Sequence, residues 1–147
     1  LMFAARSQHV TNVIKPRLVN GQWVLSDRFT DATFAYQGGG RQMGIKDIEV
    51  LQNLVQGDFR PDKTILLDLP VEQGIRRLTR RGETRDRIEQ QDLAFKRRVR
   101  EAYLERYRQC RSRIVLVDAS APIHEVHKAI TIEIENMLSS SGIRNGD

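Results

Sequence analysis

The sequence has a single cysteine among its 147 residues, four prolines, one tryptophan, and no apolar run near the ~20 residues a bilayer-crossing helix requires. Its longest apolar stretches lie around Val24, Ile65 to Leu67 and Ile114 to Val117, so no membrane span is expected. Cys110 alone excludes an internal disulfide, and with no apolar leader in front the expected compartment is a reducing cytoplasm. Cys110 has no activating neighbour in sequence and reads as structural. His124 and His127 sit three apart, His9 is remote, and no cysteine or paired carboxylate completes a ligand set, so no metal site is expected on them. There is no internal repeat or low-complexity tract, and Gly38 to Gly40 is too short to be a linker. One domain is the expectation at this length.

Charge is what the chain has in excess, and it is unevenly spread. The net charge is +5, yet Arg76 to Arg113 holds 14 Lys/Arg against 6 Asp/Glu, leaving the remainder acidic. A concentrated basic segment implies an anionic partner: nucleic acid, a membrane surface, or the phosphates of a small ligand. Arg76, Arg77, Arg80, Arg81, Arg85 and Arg87, interrupted by Gly82 and Glu83, suit a hinged lid that closes over polyphosphate. The same strip reads equally as a solvated helix face. A nucleic-acid face is a third reading, and the lack of any aromatic residue between Arg76 and Arg87 weighs against base stacking there.

Apolar spacing predicts helices over residues 1–20, 45–56, 71–81, 89–108 and 122–138, the first kinked near Pro16 and stopped at Gly21. The first helical pattern has no cap residue ahead of Phe3, which suggests that its start lies upstream. Three continuous apolar runs, Gln22 to Ser26, Thr64 to Leu67 and Arg113 to Val117, each end at an aspartate: Asp27, Asp68 and Asp118. Strands of this kind, separated by helices, specify a parallel sheet in an α/β domain with both faces covered. The tail from Ser139 has no period and is expected to fray.

In open α/β sheets ligands lie beyond the carboxyl ends of the strands, which places Asp27 and Arg28 where chemistry is expected. An arginine there offers a planar fork of donors suited to a phosphate. The alternative is that Asp27 caps the following helix and Arg28 is a surface residue. Thr30, Asp31 and Thr33 then lead to Phe34, Tyr36 and Gln37, an aromatic wall and an amide suited to reading a base edge or a sugar hydroxyl. A helix burying Phe34 and Tyr36 as ordinary core has the same pattern.

Four segments together resemble bacterial thymidylate kinases: Leu1 to Arg6; Ser26 to Arg41 (SDRFTDATFAYQGGGR); Gly57 to Asp62 (GDFRPD); and Arg81 to Gln90 (RGETRDRIEQ). The resemblance covers essentially the whole chain. It implies a P-loop nucleoside monophosphate kinase fold, a three-layer α/β domain on a five-stranded parallel sheet, that passes the γ-phosphoryl group of ATP to dTMP with Mg2+. It implies catalytic roles for Arg28, Asp27, Arg80 and Arg85, with Arg28 on the dTMP phosphate and Asp27 near magnesium-bound phosphates. Arg6 is implied at the thymine edge, and Thr33, Tyr36 and Gln37 at base and sugar, the Tyr36 ring crowding a ribose 2′-hydroxyl. Arg80, Arg81, Arg85 and Arg87 match the lid, about residues 76–90, of a kinase domain spanning residues 1–138. Where the family usually stacks a Phe on thymine this chain has Met2, with Phe3 adjacent, so either residue is a candidate.

The sequence contains no Gly-x-x-x-x-Gly-Lys-[Ser/Thr] phosphate loop. In the family that loop follows a central strand lying between the strands that end at Asp27 and Asp68, and about 60 to 70 residues of the family pattern, including a second N-terminal strand, are absent. These residues alone are therefore expected neither to fold stably nor to be active, since buried unpaired strand edges are costly. The resemblance further implies a cytoplasmic homodimer with the first helix at its interface, and no nucleic acid as partner. Other readings at this point are a kinase of a different pyrimidine monophosphate, a catalytically dead dTMP-binding homologue, and a nucleic-acid-binding module using the Arg76 to Arg113 face.

Overall fold

The computed structural model describes residues 2–80 and 90–140. Two of the three aspartate-terminated apolar runs form strands, β1 (Thr64–Asp68) and β2 (Ile114–Asp118). They pair in parallel, Thr64 opposite Ile114 through Asp68 opposite Asp118. The ladder is extended at both ends by Thr64 N–H to Arg113 O (3.0 Å) and Ala119 N–H to Asp68 O (2.8 Å).

The third expected strand is not one. Gln22 to Ser26 joins no strand ladder among the described residues, and Leu25 is fully exposed. A strand is defined by its neighbour's hydrogen bonds, and an apolar run without a neighbour has no ladder to join. Burial of the sheet on both faces is likewise incomplete: Ile114 and Val117 are buried, but Leu67 is 50% exposed.

The N-terminal helix follows the apolar period as α1 (Met2–His9), a π-helical turn (Val10–Ile14) and α2 (Lys15–Val19). The irregularity expected at Pro16 falls one turn upstream of it. Proline has no N–H to give and its ring crowds the carbonyl four residues back, here Asn12, so the backbone widens to a five-residue repeat, with Lys15 N–H bonding Val10 O. Gly21, at φ 73°, ends the helix: Gln22 N–H reaches Arg17 O and Gly21 N–H reaches Leu18 O, the paired bonds of a Schellman cap.

A short helix, α3 (Thr30–Thr33), runs straight into a second π-helical segment (Phe34–Gly40). Next come α4 (Ile45–Gln56) before β1, then α5 (Val71–Arg80), α6 (Gln90–Gln109), and α7 (Ile123–Ser140) after β2. α7 carries the helix two residues past Leu138, where fraying was expected. The core lies where the 34–40 segment meets α6, and Phe34, Ala35, Ile48 and Val99 are buried there and nearby.

The glycine run makes that contact possible. A Cβ on Gly39 would sit 2.4 Å from the Ala102 Cβ and 2.9 Å from the Arg98 carbonyl oxygen; one on Gly40 would sit 2.5 Å from the Phe95 ring. Gly38 to Gly40 are a packing surface that lets two helices approach closely.

Candidate functional site

Arg28 is the only residue besides Gln42 among the described non-glycine residues with positive φ, at 61°. This left-handed conformation costs a side-chain-bearing residue on the order of 1–3 kcal/mol and is characteristic of functional sites. It turns the exposed Arg28 side chain back toward the following helix, with its guanidinium carbon 5.1 Å from the centre of the Tyr36 ring. Asp27 beside it is also exposed.

α1 packs against the 30–40 segment through two matched contacts. Arg6 Nη1 donates to Thr33 Oγ1 at 2.9 Å, and Gln37 Nε2 donates to Met2 Sδ at 3.4 Å. Met2 and Arg6 are four apart on one helix, and Thr33 and Gln37 four apart on the other, so the two faces meet antiparallel. Arg6 Nη2 also donates to Phe29 O at 3.3 Å, and its guanidinium lies 5.5 Å from the Phe3 ring and 5.3 Å from the Phe29 ring. Burial lowers the Arg6 pKa below its ordinary value, and the charge of Asp31 opposes that shift. Phe3 is therefore in place as a lining of Arg6, while Met2 faces Gln37.

Of the aromatic pair left open by the sequence, Phe34 is core, 1% exposed, and Tyr36 is half-buried at the site. The Tyr36 ring is edge-on to Tyr103 at 6.3 Å and tilted against Phe95 at 6.2 Å. Tyr103 was not among the expected site residues. Burial, then the neighbouring Tyr36, push its hydroxyl pKa up to about 12 against an opposing pull from Arg28, so it is a protonated donor at neutral pH. Its spacing from Phe95, two helical turns, is the signal that would have found it.

Asp31 is the other residue whose partners the sequence concealed. Only 5% exposed, its carboxylate takes Arg113 Nη1 on Oδ2 (2.8 Å), and Arg113 Nη2 (2.9 Å) and Arg106 Nε (3.2 Å) on Oδ1. Burial by itself would raise the Asp31 pKa, but the hydrogen bonds and charge of Arg113, joined by Arg106, outweigh it and hold the pKa below the ordinary carboxylate value. Arg113 also donates to Thr64 Oγ1 at 2.8 Å, and the Arg106 guanidinium stacks 4.3 Å from the Phe34 ring centre.

Much of the basic segment is engaged within the fold. Arg100 grips Asp68 with two bonds of 2.7 and 2.8 Å, and Arg97 pairs with Glu72. Arg98 donates to Gly40 O, Arg77 to Ala119 O and Ser120 O, and Arg108 pairs with Glu101 and Glu105. Among the described residues, much of the positive charge is thus taken up by partners within the fold. An open cleft of about 390 Å³ between α5 and α6 is lined by Val71, Glu72, Arg97, Arg98, Arg100 and Glu101. It shares no lining residue with the Arg6 to Tyr36 group. Arg81, Arg85 and Arg87 lie outside the described residues, as does the side chain of Arg80, where α5 ends.

The structure therefore brings Arg6, Thr33, Met2 and Gln37 together on one interface and Arg28 with Tyr36 beside it, on a support of Phe95 and Tyr103. Cationic forks, an amide and aromatic edges are groups that can bind an anion and the edge of a planar ring. The family model described as thymidylate kinase matches residues 1–130. The chain belongs to the thymidylate kinase family, and so to the P-loop nucleoside monophosphate kinase class of α/β folds. It is 50% identical over 138 residues, 94% of its length, to the thymidylate kinase of Pseudomonas entomophila, and 49% identical over 140 residues to that of Chromohalobacter salexigens. Over 132 residues it is 51% identical to the thymidylate kinase of Neisseria meningitidis. The chain spans 65%, 66% and 63% of the length of these relatives.

Proposed function

We propose that the protein transfers the γ-phosphoryl group of ATP to dTMP, giving dTDP and ADP. The observation that carries this reading is the convergence of Arg6, Thr33 and Gln37 with the Arg28 and Tyr36 pair on one short segment of chain. Phosphoryl transfer asks for positioning and charge neutralisation, and its acceptor here is already a phosphate anion, so no general base is needed. Arg28, with Asp27 beside it, takes the dTMP phosphate on a five-donor fork. Arg6 and Thr33 take the thymine edge, with Gln37, Met2 and Phe3 around the base. The Tyr36 ring disfavours a ribose 2′-hydroxyl.

Arg80, Arg81, Arg85 and Arg87 belong, on this reading, to a lid over residues 76–90 that neutralises the ATP phosphates. ATP chemistry brings Mg2+ with its nucleotide. Among the described residues no three His, Cys, Asp or Glu side chains converge as a cation site, so no step is assigned to a protein-held metal. The five-stranded sheet of the family is supported by apolar surface awaiting a neighbour: Leu25 is 100%, Trp23 49% and Leu67 50% exposed. A homodimer through the first helix is supported by Val13 and Val19, 44% and 85% exposed. No helix among the described residues is long and apolar enough to cross a membrane, and the proposed compartment is the cytoplasm, where nucleotides are made.

The test is a coupled ADP-release assay, on the protein expressed from its complete gene, across dTMP, dUMP, CMP and UMP. The expected result is the highest kcat/KM with dTMP. Preference for CMP or UMP, or no turnover of any of the four, would overturn the proposal.

A further inference from the structure

We infer that Asp31 is a positioning residue for the nucleotide acceptor site, fixing the segment that carries Thr33 and Tyr36 by locking it to the sheet and to α6. The inference rests on the functional reading above and adds a residue that touches no substrate.

α3 is four residues long, and Phe29 at its start makes no side-chain cap. A single turn of helix is not self-sustaining in water, so its placement comes from the 34–40 segment it runs into and from tertiary anchors of its side chains. Arg6 Nη1 donates to Thr33 Oγ1, tying the turn to α1, and Thr30 Oγ1 donates to Gln56 Oε1 at 2.7 Å, tying it to α4. Asp31 supplies the anchor to the sheet and α6, through three bonds to two arginines that stand on different elements. Arg113 immediately precedes β2 and also holds Thr64, the first residue of β1, so one carboxylate is joined to the starts of both strands. Arg106 lies on α6, three residues beyond Tyr103, and covers the Phe34 ring.

Thr33 is two residues from Asp31 and Tyr36 is five, within a continuous helical stretch. A shift of Asp31 is therefore transmitted to both, and binding geometry is sensitive to displacements of an ångström. The buried arrangement also has no slack. The Asp31, Arg106 and Arg113 side chains are 7%, 17% and 15% exposed, so neutralising the carboxylate leaves two largely buried cations facing an amide. Among the described residues, the side-chain bonds to Asp31 come from Arg106 and Arg113.

The test is the isosteric substitution Asp31→Asn in the protein expressed from its complete gene, with a circular dichroism spectrum to establish that it is folded. The expected result is a KM for dTMP raised about tenfold or more and a KM for ATP within about twofold of wild type. A purely structural role would reduce the active fraction, lowering kcat with both KM values unchanged. That pattern, or equal increases in the two KM values, overturns the inference. Should Asp31→Asn fail to fold, Arg113→Lys, which keeps the charge and loses the two-pronged grip, is judged by the same split between KM values. A wild-type protein that does not phosphorylate dTMP would sink the functional reading and this inference with it. A wild type that does, beside a folded Asp31→Asn variant with unchanged KM for dTMP, sinks this inference alone.

Discussion

Gly39→Ala is a perturbation whose outcome the packing of the 34–40 segment on α6 decides. Replacing a helical glycine by alanine normally stabilises by about 0.5–1 kcal/mol, because the unfolded chain loses conformational freedom. Here the added methyl group would meet the Ala102 Cβ at 2.4 Å and the Arg98 carbonyl oxygen at 2.9 Å. Neither can swing away: one is fixed to the α6 backbone and the other is part of it. Overpacking of this kind costs about 1–3 kcal/mol, so the clash outweighs the propensity gain and leaves a net loss of roughly 1–2 kcal/mol. In a domain of this size that lowers Tm by about 2–8 °C.

Gly38→Ala is the control. Its methyl group meets the Ile45 Cδ1 at 2.6 Å and the Ile48 Cδ1 at 3.3 Å, both ends of flexible side chains. Small shifts there cost about what the propensity gain returns, and stability stays within about 0.5 kcal/mol of wild type. Thermal unfolding followed by circular dichroism on both variants, in the protein expressed from its complete gene, measures the difference. Equal Tm values for the two variants, or a Gly39→Ala protein more stable than wild type, would refute the claim that the glycines serve close helix packing.

Two further predictions concern charge. The Asp31 carboxyl has a pKa held below its unfolded value of ~3.9, so its contribution to stability is complete above about pH 4 and is lost as pH falls through the depressed folded value. Urea midpoints from pH 7 down to pH 3 should fall more steeply at the acid end for wild type than for Asp31→Asn, and parallel curves would contradict the ion cluster. Arg108, by contrast, pairs with Glu101 and Glu105 at the surface, all three about half exposed. Arg108→Ala should therefore leave stability within about 0.5–1 kcal/mol of wild type in thermal melts, and a larger loss would mean the surface network is cooperative.

Legibility from sequence followed the range of the interaction. β1 and β2 were readable because an apolar run closed by an aspartate is a local signal, and α4, α6 and α7 because helical period is local too. Gln22 to Ser26 carries the same local signal and yet forms no strand among the described residues, because pairing is a property of two segments. The π-helical turns were not legible: they answer Pro16 in one case and close packing on α6 in the other. Among the candidate site residues, Arg6, Arg28, Thr33, Tyr36 and Gln37 sit on motifs, which is why the sequence alone offers them. Tyr103 lies on a helix whose pattern is mostly charged, and its role comes from Tyr36, 67 positions away in sequence. Asp31 and its partners Arg106 and Arg113 are separated by 75 and 82 positions, and the sequence shows only that the charges exist. The net charge of the basic segment likewise does not show that Arg97, Arg98 and Arg100 face Glu72, Gly40 O and Asp68 on other elements.

The central claim is that Arg28 holds the acceptor phosphate, and Arg28→Ala in the protein expressed from its complete gene tests it most directly. Charge-assisted hydrogen bonds contribute about 1.5–3 kcal/mol each, so loss of a two-pronged grip removes about 3–6 kcal/mol, or roughly two to four powers of ten in rate. The account predicts a kcat/KM for dTMP reduced at least ~100-fold with the KM for ATP within about twofold of wild type. Turnover of dTMP at the wild-type level would contradict it.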